Sequence, residues 1–468
     1  MQKIIIRNFG PISNAEIELK KTVVLIGEQA TGKSTIAKLI YYFKSLREDL
    51  FNRIYKSSVT DAAFEFNYTK HLIFPSRQKF YDFFGSTFHM RDFEITFFYD
   101  VEKDKYLKLT LNKERKLESY FNEPAFGLGR LGAQITGTRK FIPDKINENN
   151  ISDVLAFNQE KLKYAEELSN ILKNLFCCKQ DDKLFIVAGR NATVGYSESF
   201  EKQFLLDAHT YIEKYKEQSF KKKRQTIDET LMLDFVKKVI EMKDLFKKFG
   251  GFYGFFETYN QHEKEKVGKV LEKIESIIKG KYKIDNFGEH IIFNSHKQGR
   301  VYLSNSSSGQ QEVIRILQDI FLSILQNKNV LRIVEEPEAH LFPIAQKNVI
   351  ELLIQMANNN DNNQLIMTTH SPYILTVLNN LLFAQRVIDK NNNAENEVSQ
   401  IIKKEARMKS DDFSAYVLIN ENDNVSSKSI IEEATGMIAQ NYLDTVSESL
   451  GNEFNDLYKI HAKSFQRL

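Results

Sequence analysis

The chain has 468 residues, with 65 basic against 62 acidic side chains, a formal charge of +3 and 42% hydrophobic residues. That near balance excludes a global field for nucleic acid or membrane, so any such partner must be read from local patches. The two cysteines, Cys177 and Cys178, are adjacent, which excludes a disulfide framework and a four-ligand zinc site and marks them as core residues.

The length suffices for two or three units, each with its own core. A strand-like segment at residues 3–7 opens the chain without the apolar core of a signal peptide, and no apolar run approaches the thickness of a bilayer. A soluble, cytoplasmic protein without membrane contact is therefore expected. Residues 21–27 read as a buried strand and 33–46 as an amphipathic helix. Between them Gly27-Glu28-Gln29-Ala30-Thr31-Gly32-Lys33-Ser34, followed by Thr35, fits the GxxxxGK[ST] phosphate loop. Small residues let successive backbone N–H groups curl around phosphate oxygens at a helix N-terminus, where the helix dipole favours negative charge.

Residues 93–99 alternate in polarity and pair with 106–111 as an antiparallel hairpin. Residues 123–138 are glycine-rich, 153–176 carry apolar positions at helical spacing, and 184–188 form a buried strand that ends in Gly189-Arg190-Asn191. The charged stretch 201–279 reads as two or three solvated helices. Gly250, Gly251 and Gly254 break it into an antiparallel pair, with arms of ~50 Å at 1.5 Å per residue. Strands return at 282–293 and 300–303.

Ser306-Ser307-Ser308-Gly309-Gln310 precedes a helix whose Val313, Leu317, Ile320, Phe321 and Ile324 share a face. Serine is a favoured N-cap whatever the function. The same hydroxyls and N–H groups also make an anion site, one that cannot easily fold back onto its own phosphate loop. A strand at 330–334 delivers Glu335 and Glu336 to its C-terminal edge, where α/β sheets place ligand-binding groups. Glu335 is placed to hold Mg2+ through water opposite the Ser34 hydroxyl, and Glu336 to orient and deprotonate an attacking water. A further strand at 364–369 presents His370, which can hydrogen-bond a γ-phosphate from that edge. A strand at 413–419 and a helical tail at 429–468 follow. Asp411 and Asp412 are adjacent rather than alternating, so no intrinsic nuclease is expected.

Together, Arg7-Asn8-Phe9-Gly10-Pro11, the phosphate loop, Ser307 to Glu312, Glu335-Glu336-Pro337-Glu338-Ala339-His340-Leu341 and Thr368-Thr369-His370-Ser371-Pro372-Tyr373 resemble the SMC-related ABC-type ATPases of the AAA15/OLD-like family. The resemblance implies an α/β fold, a two-lobed ABC-type (SMC-like) P-loop ATPase head with a mixed sheet and a helical insertion. Lobe I would take residues 1–140 and a mostly helical insertion 141–280, with a short antiparallel helix pair at about 201–280. Lobe II would take 281–390, and a C-terminal strand and helical tail 391–468. ATP and Mg2+ are the implied cofactors. The implied partner is a second copy, in a head-to-tail homodimer open to higher oligomers, where Ser307, Ser308, Gly309 and Gln310 contact ATP held by the other subunit. Glu338, Ala339 and His340 would form the D-loop at that interface, and His370 the switch histidine. Gln29 and Ala30 stand where Asn-Gly is frequent and Glu335 where Asp is usual, which bears on turnover more than on binding.

Several residues keep open roles. Gln134 is a candidate for a Mg2+-contacting glutamine on spacing, and Arg190 for a phosphate contact, a partner contact or a structural ion pair. Gly127 to Gly132 fits GxGxxG, yet no buried strand feeds it. Lys221 to Arg224 is the densest basic run, a solvated face or a nucleic-acid contact. The leading functional expectation is the sensor or scaffold subunit of a bacterial antiphage defence complex that controls a separate effector, a nuclease or toxin. The alternative is a DNA-clamping repair ATPase of SMC/RecF type. A transporter subunit fits two long insertions poorly.

Overall fold

The computed structural model describes residues 1–60, 64–122, 126–139, 151–195, 226–258, 261–293, 299–439, 453–455 and 457–458. Chain order begins with β1 (Gln2–Phe9), β2 (Ile12–Leu19), β3 (Thr22–Gly27) and α1 (Lys33–Thr60). Next come α2 (Phe74–Phe84), β4 (Glu94–Asp100), β5 (Lys105–Leu111) and β6 (Leu117–Phe121). Then follow α3 (Leu128–Arg139), α4 (Ile151–Leu175) and β7 (Asp182–Ile186). Helices α5 (Ile227–Phe249), α6 (Phe252–Glu257) and α7 (Gln261–Ile278) lead to a small sheet of β8 (Lys281–Asp285), β9 (Gly288–Ile292) and β10 (Arg300–Tyr302). The second lobe runs α8 (Ser308–Leu325), β11 (Val330–Glu335), α9 (Pro343–Asn358), β12 (Gln364–Thr369) and α10 (Pro372–Lys390). A hairpin closes it, β13 (Phe413–Glu421) and β14 (Asn424–Ser429).

One sheet of eleven strands carries both lobes, in the order β6-β5-β4-β1-β2-β14-β13-β3-β12-β11-β7. Its two ends obey different rules. β3, β12, β11 and β7 run parallel with helices on their faces, and β11 and β12 are buried at every position, as expected where neither face meets water. β4, β5 and β6 are antiparallel neighbours, and β6 alternates buried and exposed, the mark of a sheet with one wet face. The hairpin expected at 93–111 is β4–β5, paired from Glu94–Thr110 to Asp100–Lys105.

The structure adds detail to three regions drawn from the sequence. The strand expected at 413–419 is β13, which lies parallel against β3 from Phe413–Thr22 to Leu418–Gly27, and it is followed by β14, parallel against β2. The hairpin thereby separates β2 from β3, which only Lys20 and Lys21 join. Side chains complete the seam, with Ser427 Oγ accepting from Glu16 N–H, Tyr416 OH from Glu18 N–H, and Ser414 Oγ donating to the Glu18 carbonyl. Residues 431–438 form a small strand pair rather than helix, and most of the expected helical tail lies outside the described residues. The mostly helical region 141–280 contributes β7 to the main sheet, parallel to β11.

The expected solvated helix pair is also revised. Gly250, at φ +72°, does end α5 as its left-handed cap. α5, ~35 Å long at 1.5 Å per residue, lies on the head. It buries Leu231, Phe235, Val239, Met242 and Phe246, and its Lys238 reaches Asp182 of β7 at 3.1 Å. α7 buries Val270, Leu271, Ile274 and Ile278 and ties Lys273 to Glu351 of α9. The periodic apolar stripe decided the outcome over the charged composition, because burial of four or five large side chains outweighs a wet helix surface. The glycine-rich stretch after residue 123 becomes helical from Leu128, and Lys221 to Arg224 lie outside the described residues.

Candidate nucleotide site

The phosphate loop bridges β3 and α1, whose first turn carries no acidic residue, as suits an anion at a helix N-terminus. Gly27 sits at φ +153°, and a Cβ there would lie 2.6 Å from the Leu418 carbonyl of β13. Gly32, at φ +91°, would bring a Cβ to 2.8 Å from the Ile12 side chain. Ala30 adopts φ +62°, a left-handed conformation that costs an L-residue about 1 kcal/mol. The loop then wraps its lysine. Lys33 Nζ donates to the carbonyls of Gly27 (2.8 Å) and Glu28 (2.6 Å) and lies 3.4 Å from His370 Nδ1. Thr31 Oγ1 donates to Glu28 O at 2.8 Å. Burial lowers the proton affinity of Lys33, and the charges of Glu336 and Glu338 oppose that.

A cleft of about 410 Å³ opens over the loop, walled by Pro11, Gln29, Ala30, Gly32, Lys33, Ser34, Thr35, Glu336 and His370. The fold thus gathers the loop, one acid and the histidine from segments over 300 residues apart. His370 Nε2 stands 3.1 Å from Glu336 Oε1, so the imidazole spans the acid and Lys33 with opposite ring nitrogens.

Glu335 ends β11 almost fully buried. Its Oε2 accepts from Ala188 N–H at 3.2 Å, and its buried Oε1 has no hydrogen-bond partner among the described residues. An orphaned carboxylate oxygen at this strand end fits a hydrated Mg2+. No described group of three or more His, Cys, Asp or Glu side chains could hold a metal alone. A Mg2+ here would draw on Ser34, Glu335, water and phosphate oxygens, the mixed shell this ion prefers.

Arg190 resolves to the structural role, in a form the sequence did not reveal. It is fully buried, and its guanidinium donates to the carbonyls of Glu312 (3.0 Å), Val187 (3.2 Å), Glu335 (2.9 Å) and Glu336 (2.9 Å). Glu312 Oε2 lies 3.3 Å from its Nε, at ion-pair distance without hydrogen-bond alignment. The arginine therefore grips the main chain of both acids, including Glu336 at φ +44°. An arginine closing a buried strand in a Gly-Arg-Asn turn was the available signal. Its distant partners, 122 to 146 residues away, were not.

Ser307 is the N-cap of α8, accepting from Gln310 N–H while Gln310 Oε1 accepts from Ser307 N–H, a reciprocal capping box. Ser307 and Ser308 are exposed, and neither they nor Gly309 and Gln310 touch the cleft wall of their own chain. A Cβ on Gly309 would meet the His340 carbonyl at 2.6 Å, so the signature turn rests directly on the turn after the acids. Within that turn His340 is exposed, Ala339 half-buried, and the Glu338 side chain points inward. Arg7 and Asn8 are exposed at the end of β1, and Gln134 is exposed on α3; none of the three walls the cleft.

Residues 1–375 match the model of the AAA ATPase domain family AAA_15. The chain belongs to that family. As a member it carries an AAA ATPase domain with a P-loop. It is also similar to a probable ABC transporter ATP-binding protein, p29, of Mesomycoplasma hyorhinis, at 27% identity over 143 residues. That alignment covers 31% of this chain and 44% of p29, less than half of the relative's length. Among solved structures, the SMC head domain from Thermotoga maritima overlays with a TM-score of 0.33 at 8% identity, covering 92% of this chain and 98% of that one. The recombination mediator protein RecF with ATPrS overlays with a TM-score of 0.30 at 11% identity, over 91% and 97%. No described helix of the AAA_15 chain is long and apolar enough to cross a membrane.

Proposed function

We propose that this ATPase binds MgATP between two copies arranged head to tail, and that the closed dimer acts as sensor or scaffold for a separate effector protein in an antiphage complex. One observation carries the dimer. The exposed serines at the start of α8 form an anion-ready helix end that their own cleft does not use. Exposed apolar side chains support the same seam. Phe342 (75% exposed), Ile344 and Tyr373 lie a few residues beyond the acid turn and His370, and a 2.8 Å bond from Ser371 Oγ to Gln346 Oε1 draws their helices together. The effector role follows from the family resemblance.

In this reading the Gly27 to Thr35 backbone and Lys33 hold the phosphates, and Ser34 and Glu335 would hold a Mg2+, which would supply neutralisation of phosphate charge. Glu336 accepts a proton from the attacking water, and His370 keeps that carboxylate aimed into the cleft. Ser307, Ser308 and Gly309 of the second copy then close over the γ-phosphate.

Light scattering with and without ATP tests the arrangement. Glu336→Gln should retain ATP and accumulate as a dimer, with turnover down at least ~100-fold; wild-type turnover would exclude Glu336 as base. Ser308→Arg should bind ATP yet stay monomeric, and ATP-dependent dimers of that variant would exclude the signature role. A protein effector should stay bound as salt rises from about 50 to about 200 mM, whereas a duplex DNA clamp should release steeply over that range.

A further inference from the structure

The turn after β11 holds a third carboxylate that the proposed mechanism leaves unused. Glu338 Oε1 accepts two bonds from the end of β12, one from Thr369 Oγ1 at 2.6 Å and one from the His370 N–H at 2.8 Å. The Thr369 hydroxyl also accepts from Ser371 N–H at 2.9 Å, so its own proton is committed to Glu338. A single carboxylate oxygen thereby fixes three consecutive residues around the histidine. The other oxygen, Oε2, is buried without a hydrogen-bond partner among the described residues. A carboxylate serving only to complete the turn would sit more cheaply in water, because desolvating an unpaired oxygen costs about 1–3 kcal/mol.

What that placement controls is the imidazole. His370 makes a 3.1 Å contact to Glu336 through Nε2 and a 3.4 Å contact to Lys33 through Nδ1, and a ring pinned at both ends tolerates little backbone shift. The Glu336 backbone is itself strained at φ +44°, so the acid turn needs ties to β12 to hold its position. Two such ties exist, Glu336 N–H to Thr368 O at 2.9 Å and the Glu338 carboxylate.

We propose that Glu338 is a positioning residue for ATP hydrolysis: by holding the Thr369–His370–Ser371 main chain it sets the imidazole between Glu336 and Lys33. This assignment differs from the role at a subunit seam expected of the turn, since the side chain is spent within its own chain. It rests on the nucleotide-site reading above.

Steady-state hydrolysis by the full chain tests it. Glu338→Ala should lower kcat about 10- to 100-fold, as small misplacements of reacting groups do, with the KM for ATP within about two-fold. Glu338→Gln keeps an acceptor for both donors and should recover most of the rate. Thr369→Val removes only the 2.6 Å bond and should give a smaller loss of kcat in the same direction, which keeps the proposal testable if Glu338→Ala folds poorly. Wild-type kcat in Glu338→Ala, or a rate in Glu338→Gln as low as in the alanine variant, overturns the positioning role. Lys33→Ala separates the two levels. If it turns over ATP normally the nucleotide site itself is misassigned, whereas an inactive Lys33→Ala beside a fully active Glu338→Ala removes Glu338 alone.

Discussion

Two fully buried cations stand at different places in the head, Arg190 beneath the acids and Lys44 on α1, and they are held in different ways. Arg190, beneath the acids, faces Glu312 and binds four carbonyls, and burial lowers its proton affinity only against Glu312, Glu338, Glu336 and Glu335. The neighbouring Arg332 of β11 is likewise paired, with Asp319 at 2.6 Å and Asp182 at 3.2 Å. Lys44, two to three turns into α1 behind the phosphate loop, has no carboxylate partner among the described residues. It donates to the amide oxygens of Gln2 and Gln364. Burial pushes it down to about 8, with the nearby Lys183 and Arg47 adding to the fall and Cys178 opposing it. Arg190 is thus locked among permanent charges, whereas Lys44 is a group that titrates.

Breaking the locked group should have the larger effect. Arg190→Ala strands Glu312 and frees the carbonyls of both acids, so unfolding free energy should drop by about 3–5 kcal/mol and ATP turnover should disappear. A urea midpoint equal to wild type would show that the grip on Glu335 and Glu336 is dispensable. The titrating group predicts a pH signature. With its folded pKa near 8 against 10.5 when exposed, Lys44 penalises the folded state fully below pH ~8, and the penalty fades as pH rises towards ~10.5. Stability of wild type relative to Lys44→Met should therefore climb by about 3 kcal/mol across that window; parallel curves for the two proteins would refute the buried charge. The smallest change sharpens the loop itself. Ala30→Gly relieves the left-handed strain and should raise the unfolding free energy by about 1 kcal/mol, measured by chemical denaturation, leaving the slope of the transition unchanged.

The same contrast explains what was legible from sequence. Gly27 to Thr35 stand out because the motif is contiguous, Glu336 and His370 because each follows a largely apolar strand, and the fold brings loop, acid and histidine into one cleft. Residues 93–111 were readable as a hairpin because their pairing is local. The place of β13 was not, since Phe413 opposes Thr22 across almost the whole chain and nothing in its alternation names a partner. Arg190 kept open roles and Glu338 was expected at the subunit interface for a related reason. Arg190 acts through main-chain carbonyls and Glu338 in part through the His370 N–H, and a main-chain group leaves no trace in the identity of the residue that bears it. α5 and α7 misled through composition, their charged faces suggesting water where their apolar stripes found the head.

The close approach of Gly27 to the Leu418 carbonyl also sets a schedule for biosynthesis. The nucleotide cradle is bracketed on one side by a strand synthesised some 390 residues later, a delay on the order of a minute at ribosomal speeds. Until that strand emerges, β2 and β3 lack the hairpin that belongs between them, and the nascent ATPase has an unfinished triphosphate cradle. The sheet that carries the loop is thereby completed only when nearly all of its strands have been synthesised.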